Sequence, residues 1–387
     1  MPKRSFATSG DDDPAPAPPP APPVWPAPVG GAPSDPPSGS LPEPRRPERT
    51  APSADRVGVA AASASDLTDR SIVARRPPPP RSGWRRLLHR VSGGTVLVAD
   101  SPAERQRRER VARIRRPLPA PHHVAVVSLK GGVGKTTVTA AVGLAFAELR
   151  GDRIAVLDAD PDGGTLADRL SGESTVSVRD LAARAERIRA LPELARFTSL
   201  SGRLQVLASD QDPARHDALD REGYESAHAT LSRFCDVVIT DSGTGMVHPV
   251  IGGTLDAAAS LVVVGSLTVD GAGRAGRTLD WLDAHGYAEA AARAVVVLSA
   301  DRTSPDVDVV RLREHFARRS RAVVVLPRDP HLATGDRIRL AALRPDTRAA
   351  VEEVAALLAD EFGTVPPARA VGGLLSDRTR GGVESGW

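Results

Sequence analysis

The stretch from Val124 to Thr137 constrains the fold of this chain most, because a strand, a glycine-rich turn and the start of a helix follow one another within it. Its sequence is VAVVSLKGGVGKTT. The β-branched run at its start predicts a buried strand. After the glycines, apolar residues recur at helical spacing as far as Leu149, which predicts a helix. A strand, turn and helix in this order predict an α/β fold.

The glycine-rich turn predicts a phosphate-binding site. Glycines allow successive backbone N–H groups to point at one anion, and the N-terminus of the following helix adds partial positive charge. In such a loop we expect Lys135 to reach the β- and γ-phosphates of a nucleotide and the Thr136 hydroxyl to bind Mg²⁺. The sequence therefore predicts that ATP or a similar nucleotide binds here together with Mg²⁺.

The loop departs from the general pattern in one position. That pattern requires a glycine five residues before Gly134, where this chain has Leu129, and an additional lysine, Lys130, follows it. The run KGGVGKTT instead resembles, residue for residue, the deviant Walker A motif of the MinD/ParA family of ATPases. The resemblance implies a homodimer that forms on ATP binding, in which Lys130 reaches the partner's phosphates, so that Lys130 and Lys135 are catalytic. The nucleotide-binding residues that it implies in this loop are Lys130, Gly131, Gly132, Val133, Gly134, Lys135, Thr136 and Thr137.

Strands and helices alternate along the rest of the chain. The apolar runs predict further strands at 153–157, 204–207, 237–240, 261–264, 294–298 and 322–326. The helical patterns span residues 178–194, 212–234, 274–285, 306–319 and 347–362. Such alternation is typical of a mostly parallel sheet with helices on both faces. We therefore predict an α/β fold with a mostly parallel, doubly wound sheet, which by resemblance is of the P-loop NTPase type.

Acidic residues stand where two of these strands end, and ligands bind beyond the carboxyl ends of parallel strands. Asp241 ends one strand and precedes SGTG; its carboxylate can hold Mg²⁺ through water, and the glycines let the loop move when the γ-phosphate leaves. The motif DADP, residues 158–161, follows an earlier strand. The family resemblance makes Asp160 the catalytic carboxylate that orients the attacking water. Where many partition ATPases continue with QGN, this chain has DGG.

Two later segments resemble the base-binding part of the family. In relatives an asparagine after a late strand reads adenine, and here Ser299 stands in the corresponding segment, VVVLSADR. Pro327 and Arg328, in the segment PRDP, resemble the loop that covers the adenine. The resemblance favours ATP over GTP, and no aspartate in a guanine-reading N-K-x-D arrangement argues otherwise.

Composition and charge divide the chain into four parts. Residues 1–80 hold 21 of the 35 prolines and bury too little apolar surface to offset the entropy of ordering, so we expect a disordered tail. Residues 81–120 form a basic, arginine-rich helical arm, 121–362 an ATPase domain and 363–387 a flexible tail. The arm carries eleven arginines against three acidic residues, so its net charge is +8, whereas residues 121–387 sum to −5. The net negative charge of the core disfavours non-specific DNA binding.

The arm contains two helical patterns. In the first, at 84–91, apolar residues alternate with arginines at helical spacing. This pattern fits two interpretations equally. In one, the helix binds in a groove of a partner or on an anionic membrane surface; in the other, it packs on the edge of the core. In the second, Ser101 and Glu104 form a capping box ahead of a helix with only Val111 and Ile114 apolar. That composition predicts a solvated helix. Residues 81–116 are thus the candidate contact with membrane or nucleic acid.

Taken together, the proline-rich leader, the GWRR helix, the capped arginine helix and SLKGGVGKTT resemble the actinobacterial EspI-like MinD-type ATPases associated with type VII (ESX) secretion. The resemblance implies an ATPase that hydrolyses ATP with Mg²⁺ and acts as a dimerising switch, with the secretion apparatus as its protein partner. The alternative is a ParA-like ATPase for chromosome or plasmid partitioning or for positioning in the cell. A single cysteine, Cys235, and the lack of an apolar run of about 18–20 residues predict a cytoplasmic protein with no transmembrane segment, or one peripheral to the inner face of the membrane.

Overall fold

The structure, a computed structural model, describes residues 100–129, 131–161, 163–210, 219–243, 248–304 and 307–363. The expected proline-rich tail, the amphipathic pattern at 84–91, Lys130 and the C-terminal tail beyond 363 lie outside these ranges.

A single eight-stranded sheet forms the centre of the described part. Its strands, numbered in chain order, are β1 His122–Val127, β2 Ile154–Ala159, β3 Ser199–Ser201, β4 Leu204–Leu207, β5 Val237–Ser242, β6 Ser260–Ser266, β7 Val295–Ser299 and β8 Ala322–Leu326. They lie in the order β3-β4-β2-β5-β1-β6-β7-β8. Each pair of neighbours is parallel except β3 with β4. The carboxyl ends of seven strands therefore meet at one edge of the sheet.

Helices connect these strands and cover both faces. In chain order they are α1 Pro102–Ile114, α2 Lys135–Leu149, α3 Leu166–Leu170, α4 Val178–Ala182, α5 Leu191–Leu194, α6 Arg221–Ser232, α7 Pro249–Ala257, α8 Val269–Ala284, α9 Ala288–Arg293, α10 Val309–Ala317, α11 Pro330–Ala333 and α12 Pro345–Ala359. Val124 and Val126 of β1 pack on the side that holds α2 and α12, whereas Ala125 and Val127 pack on the side that holds α8. This alternation follows from the two-residue period of a strand. The predicted doubly wound α/β fold is confirmed.

The structure adds four helices that were not predicted, α3, α7, α9 and α11, and two further differences have a local cause. The single helix predicted over 178–194 is instead α4, a 3₁₀ turn at Ala185–Arg187 and α5. Pro192 lies in the first turn of α5, and because proline lacks an N–H it begins a helix more readily than it continues one. The antiparallel strand β3 was not predicted, since its three residues, SLS, are too few to show a strand pattern.

The helix α1 packs against α12, although its composition predicted a solvated helix. Ile114 at its end is fully buried. In the same helix, Arg107 donates to the carboxylate of Glu352, and Arg113 donates to that of Asp360. Arg107 and Arg113, which indicated a helix in solvent, are therefore contact residues between α1 and the chain's last described helix, α12, with its C-cap Asp360.

No helix within the described ranges combines the length and apolar character that a membrane span requires.

Candidate nucleotide site

The loop between β1 and α2 turns at two glycines. Gly132 has φ 72° and Gly134 has φ 100°, left-handed values that residues with a side chain rarely adopt. Gly134 is also the N-cap of α2, so neither a capping side chain nor an acidic residue occupies the first turn. A Cβ added at Gly132 would have no atom within 4 Å. The loop at Gly132 thus borders open space, as a phosphate-binding loop requires.

A cavity of about 530 Å³ lies in front of this loop. Its size is that of a small-molecule or cofactor site. Residues from the ends of β6, β7 and β8 form its far wall, in the position where open parallel sheets bind ligands. The predicted site residues that line the cavity are Gly132, Val133, Gly134, Lys135, Thr136, Thr137, Asp160, Ser299 and Pro327.

Three other predicted site residues lie elsewhere. Gly131 and Arg328 are exposed and are not part of the cavity wall. Asp241 is 3 % exposed and likewise lies outside the wall. It touches the site from the protein interior.

Asp241 connects the end of β5 with the first turns of α2. Its carboxylate accepts a hydrogen bond from the Thr136 side chain and another from Thr139 Oγ1, at 3.4 Å. The positive charge of Lys135 also acts on it. The two residues predicted to bind Mg²⁺, Thr136 and Asp241, are therefore in contact, although 105 positions separate them in the sequence.

A second buried carboxylate, Asp158, lies beside Asp241. The two residues are partners in the β2–β5 register, and Asp158 is fully buried. Burial raises the pKa of both carboxyl groups, and the charge of Asp241 raises the pKa of Asp158 further. Hydrogen bonds and the charge of Lys135 act in the opposite direction on the pKa of Asp241. Two buried acids of this kind favour a bound cation nearby.

Asp158 organises the loop that carries Asp160. Its Oδ1 accepts from the Asp160 N–H and its Oδ2 from the Leu166 N–H, each at 3.1 Å. The loop after β5 touches the same place, because a Cβ added at Gly243 would lie 3.1 Å from Asp160 Oδ1. The loops that follow β2 and β5 are therefore in contact at Asp160. Sequence reasoning selected Asp160 and assigned no role to Asp158.

Several further residues in the cavity wall were not predicted. Arg169, from α3, is 8 % exposed and reaches across the cavity wall. Asp301 and Arg302, which follow Ser299, also line the cavity. The latter two belong to the segment already considered for base binding, so their position in the sequence could have indicated them. No comparable signal identifies Arg169.

The CobQ/CobB/MinD/ParA nucleotide binding domain matches residues 124–337, more than half of the chain. The chain belongs to this family. The matched region begins in β1 and extends past α11, so it includes the entire cavity wall, whereas α1 and α12 lie outside it. The resemblance to MinD/ParA proteins predicted from the glycine-rich loop is thus confirmed.

The relatives include the ESX-1 secretion-associated protein EspI of Mycobacterium tuberculosis, in strains H37Rv and CDC 1551. Both are 37 % identical to this chain over 284 residues, which is 72 % of this chain and 42 % of the relative. This chain therefore spans less than half the length of the curated relatives it matches. The resemblance to the EspI-like group is also confirmed.

A solved structure of a ParA family ATPase from Chlorobium tepidum TLS has the same fold. It superposes with a TM-score of 0.53 at 19 % identity and covers 61 % of this chain and 98 % of its own. At this identity the likeness supports the fold alone.

Proposed function

We propose that this chain is a cytoplasmic ATPase that binds ATP with Mg²⁺ in the cavity, hydrolyses it, and acts as a nucleotide-dependent dimerising switch in ESX secretion. The observation that carries the proposal is the contact between Thr136 and Asp241 behind an uncapped glycine loop. A strand-ending carboxylate, a helix-first-turn hydroxyl and free backbone amides are the parts that hold a nucleotide phosphate and its metal ion.

The donor set at this point fits Mg²⁺. Magnesium prefers oxygen ligands and is held by few protein groups, and here the Thr136 hydroxyl and the Asp241 carboxylate converge. These two residues would hold the ion, and it would neutralise charge on the transferred phosphoryl group. Burial raises the pKa of Asp158 and Asp241, and a cation at this place would lower both pKa values and stabilise the charged forms.

The remaining roles belong to the chain's own groups. The amides of the glycine loop and the ammonium of Lys135 hold the β- and γ-phosphates, since the loop and Lys135 share the cavity wall. Asp160 orients the attacking water, because its loop is held in the wall by the hydrogen bonds to Asp158. Lys130 reaches the phosphates of a second copy, as the family motif implies.

A switch needs loops that respond to the γ-phosphate. The loops after β2 and β5 meet where Gly243 approaches Asp160, so that a shift of either loop changes this contact. We infer that loss of the γ-phosphate releases both and dissolves the dimer.

The link to secretion rests on the relative's association with ESX-1 secretion and on 37 % identity over 72 % of this chain. The alternative, a partitioning ATPase that uses DNA as its surface, has less support. Arg107 and Arg113 of the basic helix already pair with carboxylates of this chain, which lowers the positive charge left for phosphates of DNA.

Light scattering on size-exclusion fractions tests the switch. We expect a monomer with ADP, a dimer with ATP and Mg²⁺, and a longer-lived dimer for Asp160→Ala, whose hydrolysis is blocked. Lys130→Ala should bind ATP and remain monomeric. A single mass in all nucleotide states, for both wild type and Asp160→Ala, would exclude dimerisation as the output.

A further inference from the structure

Arg169 spans the cavity wall from the phosphate loop to the opposite side. Its Nη2 donates to Thr137 Oγ1, at 3.2 Å, and to the carbonyl oxygen of Leu332, at 3.0 Å. Thr137 lies in the first turn of α2 and Leu332 in α11. A Cβ added at Gly335 would lie 3.6 Å from Nη1, so the guanidinium also touches the loop after α11.

Both hydrogen-bond partners of Arg169 are uncharged. Among the described residues, no carboxylate forms an ion pair with it; Asp336 acts on it only through space and raises its pKa, whereas burial lowers it more strongly. A buried cation without a counter-ion is costly, and proteins normally pair such a group. The wall of this cavity therefore contains a guanidinium that no carboxylate of the described residues pairs with.

The guanidinium also has donors to spare. It carries five N–H groups, and both of its hydrogen bonds to described residues come from Nη2. The Nε and Nη1 atoms are not among the sealed, unsatisfied polar atoms of the described residues. Both atoms are therefore not sealed inside the protein, and Arg169 is one of the residues that line the cavity.

We propose that Arg169 binds the α-phosphate of the nucleotide. The inference rests on the proposed ATPase function and adds a residue to it. Lys135, Thr136 and Asp241 mark the β,γ end of the phosphate chain, and Ser299 and Pro327 mark the wall at the base end.

Arg169 forms no hydrogen bond with any of these five residues. It bonds to Thr137, one residue beyond Thr136, and to the segment of α11 that follows Pro327, which puts its free donors between the two ends. An arginine beside a phosphate forms charge-assisted hydrogen bonds in a fork geometry.

The position predicts a specific signature in binding. An α-phosphate contact is shared by ATP and ADP, so Arg169→Gln should weaken both to the same extent, by roughly tenfold to a hundredfold. Arg169→Lys, which keeps the charge and loses the fork, should fall between wild type and Arg169→Gln. Isothermal titration calorimetry with ATP and with ADP, each in the presence of Mg²⁺, measures the affinities of wild type and the two variants.

A matched control is Arg233→Gln. Arg233 Nη2 also donates to a carbonyl oxygen, of Ala185, and to a threonine hydroxyl, of Thr230, but it lies outside the cavity wall. The Arg233→Gln variant should bind ATP and ADP with the same affinity as wild type. A loss confined to ATP would move the contact to the γ-phosphate, and unchanged binding by Arg169→Gln would reduce Arg169 to a structural link; either result overturns the inference.

A second measurement needs no variant and therefore does not depend on its folding. On wild type, AMP should displace a fluorescent ADP analogue at least tenfold better than adenosine, because only AMP offers the α-phosphate. Equal displacement by the two overturns the inference. Failure of wild type to bind ADP or ATP at all would instead refute the proposed function, so the two failures are distinguishable.

Discussion

Arg113 and Asp360 form a two-pronged ion pair that joins the first and last described helices. Arg113 Nε donates to Asp360 Oδ2 at 3.1 Å, and Nη2 donates to the same oxygen at 2.6 Å. The hydrogen bond with Asp360 raises the pKa of the Arg113 guanidinium. The basic arm and the acidic core, which looked like separate surfaces in the sequence, thus neutralise each other in part along α1 and α12.

Loss of this pair should weaken the fold. We expect Arg113→Ala to lower the free energy of unfolding by about 1 kcal/mol, because the pair is part of a network with Glu353 and is only partly exposed. Urea denaturation measures this change in the free energy of unfolding. Arg105→Ala, exposed on the same helix, is the control and should change the free energy by less than about 0.5 kcal/mol. Equal effects of the two substitutions would show that the pair contributes nothing.

Truncation should distinguish α1 from the segment before it. Removing residues 1–99 should leave the unfolding temperature unchanged, since α1 keeps its contacts. Removing residues 1–120 should lower it clearly, because Ile114 is fully buried and Val111 and Leu118 pack against the same core. Burial of one such aliphatic side chain contributes about 1.5–3 kcal/mol. Identical melting curves for the two truncations would contradict the packing of α1 on the core.

Gly164 should not tolerate a side chain. An added Cβ would lie 2.1 Å from Asp158 Oδ1 and 2.2 Å from Oδ2, and Asp158 is fully buried and holds the loop through hydrogen bonds to Asp160 and Leu166. We expect Gly164→Ala to cost about 1–3 kcal/mol of stability and to reduce ATP hydrolysis by displacing the loop of Asp160. Gly151→Ala, where a Cβ meets no atom within 4 Å, should leave both stability and turnover unchanged. Normal turnover of Gly164→Ala would show that the loop's position does not matter for hydrolysis.

Buried histidines should each lower stability in mild acid, whereas protonation of Asp158 and Asp241, whose pKa values burial raises, acts in the opposite direction. Burial, with the charge of His123, lowers the pKa of His122 to about 4 and of His228 to about 3. The unfolded chain binds these protons near pH 6.5, so the stabilisation is complete above that pH and is lost as the pH falls towards 4. At pH 5 the loss is about 2 kcal/mol for each histidine.

The unfolding free energy at pH 7.5 minus that at pH 5 should therefore be about 2 kcal/mol smaller in His228→Gln than in wild type. Replacing the exposed His315 in the same way serves as the control. The same pH dependence in wild type and His228→Gln would mean that His228 becomes protonated in the folded protein.

The parts of the site that the sequence predicted are those with local signals. A β-branched strand, a glycine turn and an apolar helix are adjacent in the chain, so the loop at Gly132–Lys135 could be interpreted directly. The contact of Thr136 with Asp241 was also predictable, because parallel strands bring their carboxyl ends to one edge.

The parts that it missed depend on distant pairs. Arg169 meets partners 32 and 163 positions away, and Arg113 meets Asp360 across 247 positions. An arginine pattern on one helix does not reveal whether water or a carboxylate on another helix will face it.

The central claim is that the glycine loop and Lys135 hold a nucleotide together with Mg²⁺. Isothermal titration of the full chain with ATP and Mg²⁺ tests it most directly, with Lys135→Ala as the matched variant. We predict a single site per chain for wild type and at least a roughly hundredfold weaker affinity for Lys135→Ala, since the charge on the phosphates loses its main partner. Absence of binding by wild type, or equal binding by Lys135→Ala, would contradict the account.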